Sequence, residues 1–183
     1  MDELIELTTH GVSLIDFFML SSKIVCFFED FQVKVVDLRW KRVTKEFNLQ
    51  EIENFEISEQ EEEDKIVSAS FEKDAQLFAV ACVDSVHVFG FNDENFEELL
   101  EHYISTSKKN VVEVIFMGYS LILVQDMEEE FSCMVFDMES GMTEGDLRIP
   151  KLDEDARLIL RPGNQCFYYV SNNIIGGVEV PSM

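Results

Sequence analysis

Gln32-Val33-Lys34-Val35-Val36-Asp37-Leu38-Arg39-Trp40 decides the reading of the fold. Apolar and polar residues alternate, Asp37 closes the run, and charge follows. Alternation with a period of two marks a half-buried strand. The pattern returns at Val86-His87-Val88-Phe89-Gly90-Phe91 and at Met134-Val135-Phe136-Asp137-Met138-Glu139-Ser140-Gly141. It returns in weaker form at Ile174-Ile175-Gly176-Gly177-Val178-Glu179-Val180. A unit recurring at about forty to fifty residues is the signature of a repeat architecture.

The neighbouring segments fill out each unit. Lys23 to Phe28 reads as a buried strand by its length and its β-branched and aromatic content. It follows the apolar run Val12–Leu20 across Ser21-Ser22, and Arg42 to Leu49 reads as an outer strand. Four short strands joined by tight turns have the size of one β-propeller blade. A second unit runs through Lys65–Phe71, Leu77–Cys82 and Val86–Phe91, its small residues suited to a crowded inner region. A third has strands at Val111–Phe116, Ser120–Val124, Phe131–Met138 and Leu147–Ile149. The fourth offers Arg157–Leu160, Cys166–Val170 and Ile174–Val180.

The expected fold class is therefore all-β, with about four propeller-like blades in one domain over residues 1–183. Residues 3–9 are a spare strand able to complete the last blade. Two closures stay open: a compact four-bladed ring, or an incomplete propeller finished by another chain. Residues 51–64, carrying Glu59, Glu61, Glu62, Glu63 and Asp64, read as an acidic insertion. Phe96, Leu99, Leu100, Tyr103 and Ile104 stand at helical spacing behind Asn92 and Asp93. That spacing predicts a short helix near 93–104.

Thirty-seven acidic against fourteen basic residues leave a formal net charge of −23. Such a chain lacks the cations needed to release counterions from a nucleic-acid backbone, so any nucleic-acid contact is expected to be indirect. It is also unsuited to an anionic membrane surface, and it suits a basic protein partner. Cys26, Cys82, Cys133 and Cys166 lie in apolar runs with no C-x-x-C pair. They read as small buried hydrophobes in a reducing compartment. Met1-Asp2-Glu3-Leu4 is unlike a signal peptide, and Asp16 and Lys23 interrupt the longest apolar stretch. An intracellular protein, cytoplasmic or nuclear, is expected.

Val33 to Arg39 and Cys133 to Gly141 resemble the third strand and following turn of WD40 repeats. In that family an aromatic–Asp pair ends the strand, and Val36-Asp37 and Phe136-Asp137 stand there. The run Ile66 to Phe91 is similar to the family's first strands. No Trp-Asp dipeptide and no Gly-His precedes a repeat here, and Phe89-Gly90 departs from the pair. The resemblance implies a propeller that presents loops to protein partners. Within the family, Phe96 through Val124, with Lys108-Lys109-Asn110-Val111, resembles the non-catalytic WD-repeat subunit of the tRNA guanine-N7 methyltransferase.

Site chemistry is sparse. The histidines are His10, His87 and His102, each read as a packed or surface residue. No G-x-S-x-G, P-loop or G-x-G-x-x-G occurs, so no catalytic residue, cofactor or metal site is assigned. One patch departs from the acidic background: Arg39, Trp40, Lys41, Arg42 and Lys45 gather basic charge around the only Trp. It reads either as edge charge that discourages aggregation or as a partner-binding site. Three functions follow: a non-catalytic scaffold in a protein complex, a subunit supporting tRNA modification, or a small propeller enzyme with a channel site.

Overall fold

A computed structural model describes residues 11–52, 55, 65–74, 76–91, 98–106, 110–151, 157–161, 166–171 and 174–179. Side chains are described throughout except at 98–101, 157–161, 166–169, 171 and 174–179. The expected strand at 3–9, most of the acidic insertion, His10 and Lys108-Lys109 lie outside these residues.

Blade 1 is an antiparallel meander of β1 (Leu14–Leu20), β2 (Lys23–Phe28), β3 (Gln32–Asp37) and β4 (Arg42–Asn48). Blade 2 holds β5 (Ser68–Glu72), β6 (Leu77–Ala81), β7 (Ser85–Phe91) and β8 (Glu98–Ser105). Blade 3 holds β9 (Asn110–Met117), β10 (Ser120–Asp126), β11 (Glu130–Asp137) and β12 (Met142–Pro150). Blade 4 is three-stranded among the described residues: β13 (Arg157–Arg161), β14 (Cys166–Ser171) and β15 (Ile174–Glu179). After β4, Leu49–Glu51 forms a 3-10 turn in which the Gln50 amide donates to the Asn48 side chain.

The expected helix near 93–104 is corrected over the described residues from 98 on, 92–97 lying outside them. Glu98–Ser105 is a strand paired with β7. His102 faces Val88 and Leu100 faces Phe89, so Glu101 is an extra, bulged residue. A bulge sets two residues against one and breaks the period of two. That shift gives a strand the apolar spacing of a helix. Thr44 and Glu144 are extra residues in β4 and β12 in the same way. The outer strand of each of these three blades is therefore bulged.

The blades pack face to face. Phe27, Val33 and Val35 of blade 1 meet Ala69, Phe78, Val80, Phe89 and Phe91 of blade 2 in one buried cluster. Phe27 stacks toward Phe78 at 5.4 Å, and Phe78 lies 4.8 Å from Phe89. Each fully buried Phe contributes about 2–3 kcal/mol through removal of apolar surface from water. Between blades 2 and 3, Ala79 and Ala81 pack with Val111, Val114 and Phe116. Their small side chains let β9 approach β6, as their sequence position led us to expect.

Backbone bonds repeat from blade to blade. An amide in the linker or at the start of the next blade ties to the second turn of the blade before it: Ile66 N–H to the Glu29 carbonyl at 3.0 Å, Val111 N–H to Val83 at 2.9 Å, Lys151 N–H to Glu129 at 2.9 Å. At the opposite end, Leu38 N–H donates to Ser22 at 2.8 Å, Phe91 N–H to Gln76 at 2.9 Å and Met138 N–H to Tyr119 at 2.9 Å. Buried backbone groups must be paired, and these bonds use the turns to do it.

Among the described residues the propeller is incomplete: one face of β1 packs on blade 2 through Phe18 and Phe71, while Phe17 and Met19 on its other face are 55% and 61% exposed.

Candidate interaction site

The β3–β4 turn is organised by Asp37. Its Oδ1 accepts from the Arg39 amide at 2.8 Å and the Trp40 amide at 3.3 Å. Its Oδ2 accepts from Arg39 Nη2 at 2.7 Å. The Arg39 side-chain bond leads in holding the Asp37 carboxyl down at about 2, well below the usual carboxylate range. A charge-assisted bond to guanidinium is stronger than a neutral one. Asp37 is nearly buried while Arg39 is largely exposed, so one residue anchors and the other caps.

The same turn recurs in blade 3. Asp137 accepts from the amides of Glu139 at 3.1 Å and Ser140 at 3.2 Å, and its carboxyl is held below its ordinary value chiefly by Ser140. Both turns need a residue with positive φ before the outer strand. Blade 3 uses Gly141 at 68°, and blade 1 uses Lys41 at 49°.

The structure brings four of the five patch residues together and sets the fifth further along the strand. Arg39, Trp40, Lys41 and Arg42 form the turn and the start of β4, all exposed. Trp40 is 69% exposed. Lys45 lies farther along β4, with its ammonium 5.0 Å from the Phe47 ring. Opposite Asp37 across the hairpin stands Arg42.

In an antiparallel meander the first and third turns fall at one end of the sheet and the second at the other. Trp40 therefore shares its end with the β9–β10 and β11–β12 turns, where Tyr119 and Met142 are also exposed. Glu29, Asp30, Asp84, Glu128 and Glu129 sit in second turns at the other end. The charged residues of the described second turns are thus all acidic, whereas the described first and third turns mix Arg39, Lys41 and Lys73 with Asp74 and Glu139.

Two carboxylates line the inner strands. Burial pushes the Glu113 carboxyl up to about 7, and the Asp16 charge adds to it. Burial likewise raises Asp16, against a 2.7 Å bond from the Phe17 amide. Sequence gave no signal for this pair, because the two residues lie on strands of different blades.

His87 is buried. Its Nε2 meets Ser85 Oγ at 3.2 Å, and its ring stacks on Phe55 at 4.2 Å. Burial pulls it down to about 4, so it is neutral near pH 7. Burial raises the Cys26 thiol and pushes Cys133 up to about 12. A thiol so raised is not a nucleophile. Among the described residues no three His, Cys, Asp or Glu side chains converge as metal ligands, and no helix is long and apolar enough to cross a membrane.

The β-propeller domain of Myceliophteria thermophila Cps50 (Swd1) matches 92% of this chain and 54% of its own, with a TM-score of 0.66 and 12% identity. The WD40 domain of Toxoplasma gondii coronin matches over 85% of this chain and 39% of its own, with a TM-score of 0.57 and 8% identity. The chain has a WD40-type β-propeller fold. Saccharomyces cerevisiae Sqt1 matches over 88% of this chain and 42% of its own, with a TM-score of 0.58 and 13% identity. This WD40-type chain spans about half the length of these structures, or less. No protein-family model matches it, and no curated protein matches it. Its four blades carry degenerate repeats, with Val36-Asp37 and Phe136-Asp137 at the turn positions.

Proposed function

We propose that this chain is a non-catalytic scaffold that binds protein partners within an intracellular complex. The fold is of the kind that serves protein interaction. The observation that carries the reading is the exposed Trp40 on a turn fixed by Asp37. A turn whose backbone is already ordered in the free protein loses little backbone entropy on binding, and Trp and Arg are favoured interface anchors. Arg42 and Lys41 beside it suit a carboxylate on the partner, while the net charge of −23 suits a partner that is basic elsewhere. Residues 1–183 act as one domain in this reading, located in cytoplasm or nucleus.

The test is affinity purification of the tagged full chain from cells that express it, beside Trp40→Ala and Arg42→Gln. The expected result is a stoichiometric partner protein that both variants lose, with thermal transitions unchanged. Equal recovery by the variants, or no partner at all, overturns the proposal.

A further inference from the structure

The inner strands of blades 1 and 3 are copies of one another, residue for residue. Leu20 and Met117 each precede a two-residue turn. Counting back, Met19 matches Phe116, Phe18 matches Ile115, Phe17 matches Val114, and Asp16 matches Glu113. The bulge coincides as well. Ile15 is the extra residue between Leu14 and Asp16, and Val112 the extra residue between Val111 and Glu113.

The surroundings do not match. Val114 and Phe116 are 2% and 4% exposed because blade 2 covers them. The Val114 amide donates to Ser68 Oγ at 3.2 Å and the Phe116 amide to Ser70 Oγ at 2.9 Å. Ala79 and Ala81 of β6 leave room for their side chains. Phe17 and Met19, at the same positions of blade 1, are open to water. The Phe17 amide is served instead by its neighbour Asp16. Farther out on the same face Cys26, Phe28 and Val36 are buried, so the open part is confined to the inner strand.

We infer that the Phe17–Met19 strip of β1 is a docking site for a β-hairpin of another polypeptide, built like β5–β6. Its first strand carries Ser or Thr two residues apart, opposite the Phe17 and Met19 amides. Its second strand carries Ala-sized residues over the two apolar side chains. As between β5 and β9, which lie in separate sheets, the polar contact runs from side-chain hydroxyl to main-chain amide and the rest is face-to-face apolar packing. A second copy of this chain does not fit. Its β13 reads Arg-Leu-Ile-Leu-Arg and its β14 Cys-Phe-Tyr-Tyr-Val-Ser, without the Ser and Ala spacing of blade 2. A net charge of −23 on each copy also opposes self-association. The inference deepens the scaffold reading and rests on it.

The test places the photo-crosslinker benzoyl-phenylalanine at position 19 of the full chain, in cells that express it, and in parallel at position 40. The expected product at 19 is one other polypeptide, crosslinked within a β-hairpin of that pattern. Phe17→Asp, whose exposed position lets the variant melt within about 2 °C of the parent, reduces that product at least tenfold. No product at 19, a product within this chain or a second copy, or one on a helical segment overturns the inference. A product at 40 with none at 19 leaves the scaffold reading standing; none at either position removes both.

Discussion

Asp16 and Glu113 occupy the same register position, each the first paired residue after a bulge in the inner strand of its blade. They are close enough for the charge of Asp16 to raise the Glu113 carboxyl toward about 7. Folding therefore binds a proton at Glu113. Its contribution is most favourable below the ordinary carboxylate value of 4.5 and is lost as pH rises to about 7. Thermal melts from pH 4.5 to 8 are expected to show Glu113→Gln gaining about 2 kcal/mol over the parent at pH 8 and little at pH 4.5. Parallel curves for the two proteins would contradict this.

Asp37 behaves in the opposite sense. Its carboxyl is held down at about 2, so its stabilisation is complete above the ordinary 3.8 and is lost as pH falls through 2. Asp37→Ala releases both the Arg39 side chain and the amides of Arg39 and Trp40. Arg39→Ala removes only the first. We expect a larger loss of melting temperature for Asp37→Ala than for Arg39→Ala at pH 7, and the two variants converging with one another below pH 2.

The two related turns make a matched test of backbone strain. Lys41 pays for a positive φ that Gly141 adopts freely. Lys41→Gly is expected to stabilise by up to about 1 kcal/mol, and Gly141→Ala to destabilise by about 1 kcal/mol. No atom lies within 4 Å of a Cβ built at Gly141, so the loss there is conformational and not steric. Urea unfolding midpoints measure both.

His87 is buried neutral against Phe55, Phe89 and Tyr103, with its Nδ1 unpaired. Its value of about 4 lies below the ordinary 6.5, so folding is weakened as pH falls from 6.5 to 4. Phe carries no charge, but it adds volume at a buried site and gives up the Ser85 contact. His87→Phe is expected to cost about 1–3 kcal/mol at pH 7.5. It is also expected to lose part of the parent's sensitivity to acid in that window, as followed by circular dichroism.

Much of the fold was legible because most strands are short apolar runs bounded by turns. Lys23–Phe28 and the start of β3 at Gln32 match the sequence reading residue for residue. The reading failed at β8, where bulged Glu101 shifts the alternation, and it shortened β12, where bulged Glu144 does the same. The basic turn was visible as residue types, but its internal economy was not. Arg39 is committed to Asp37, which leaves Trp40 and Arg42 as the outward groups. The strip at Phe17 and Met19 read only as part of the apolar run Val12–Leu20, because its exposure depends on which blade stands beside it.

The central claim is that a turn locked by Asp37 presents Trp40 to a protein partner. The most direct measurement is the stoichiometry of the full chain purified under native conditions from cells that express it, with Trp40→Ala alongside. The account predicts a partner retained through Trp40 in the parent and lost from the variant, with the two chains, once separated from any partner, melting at the same temperature. A parent that elutes alone, or a variant that keeps its complex, would contradict it.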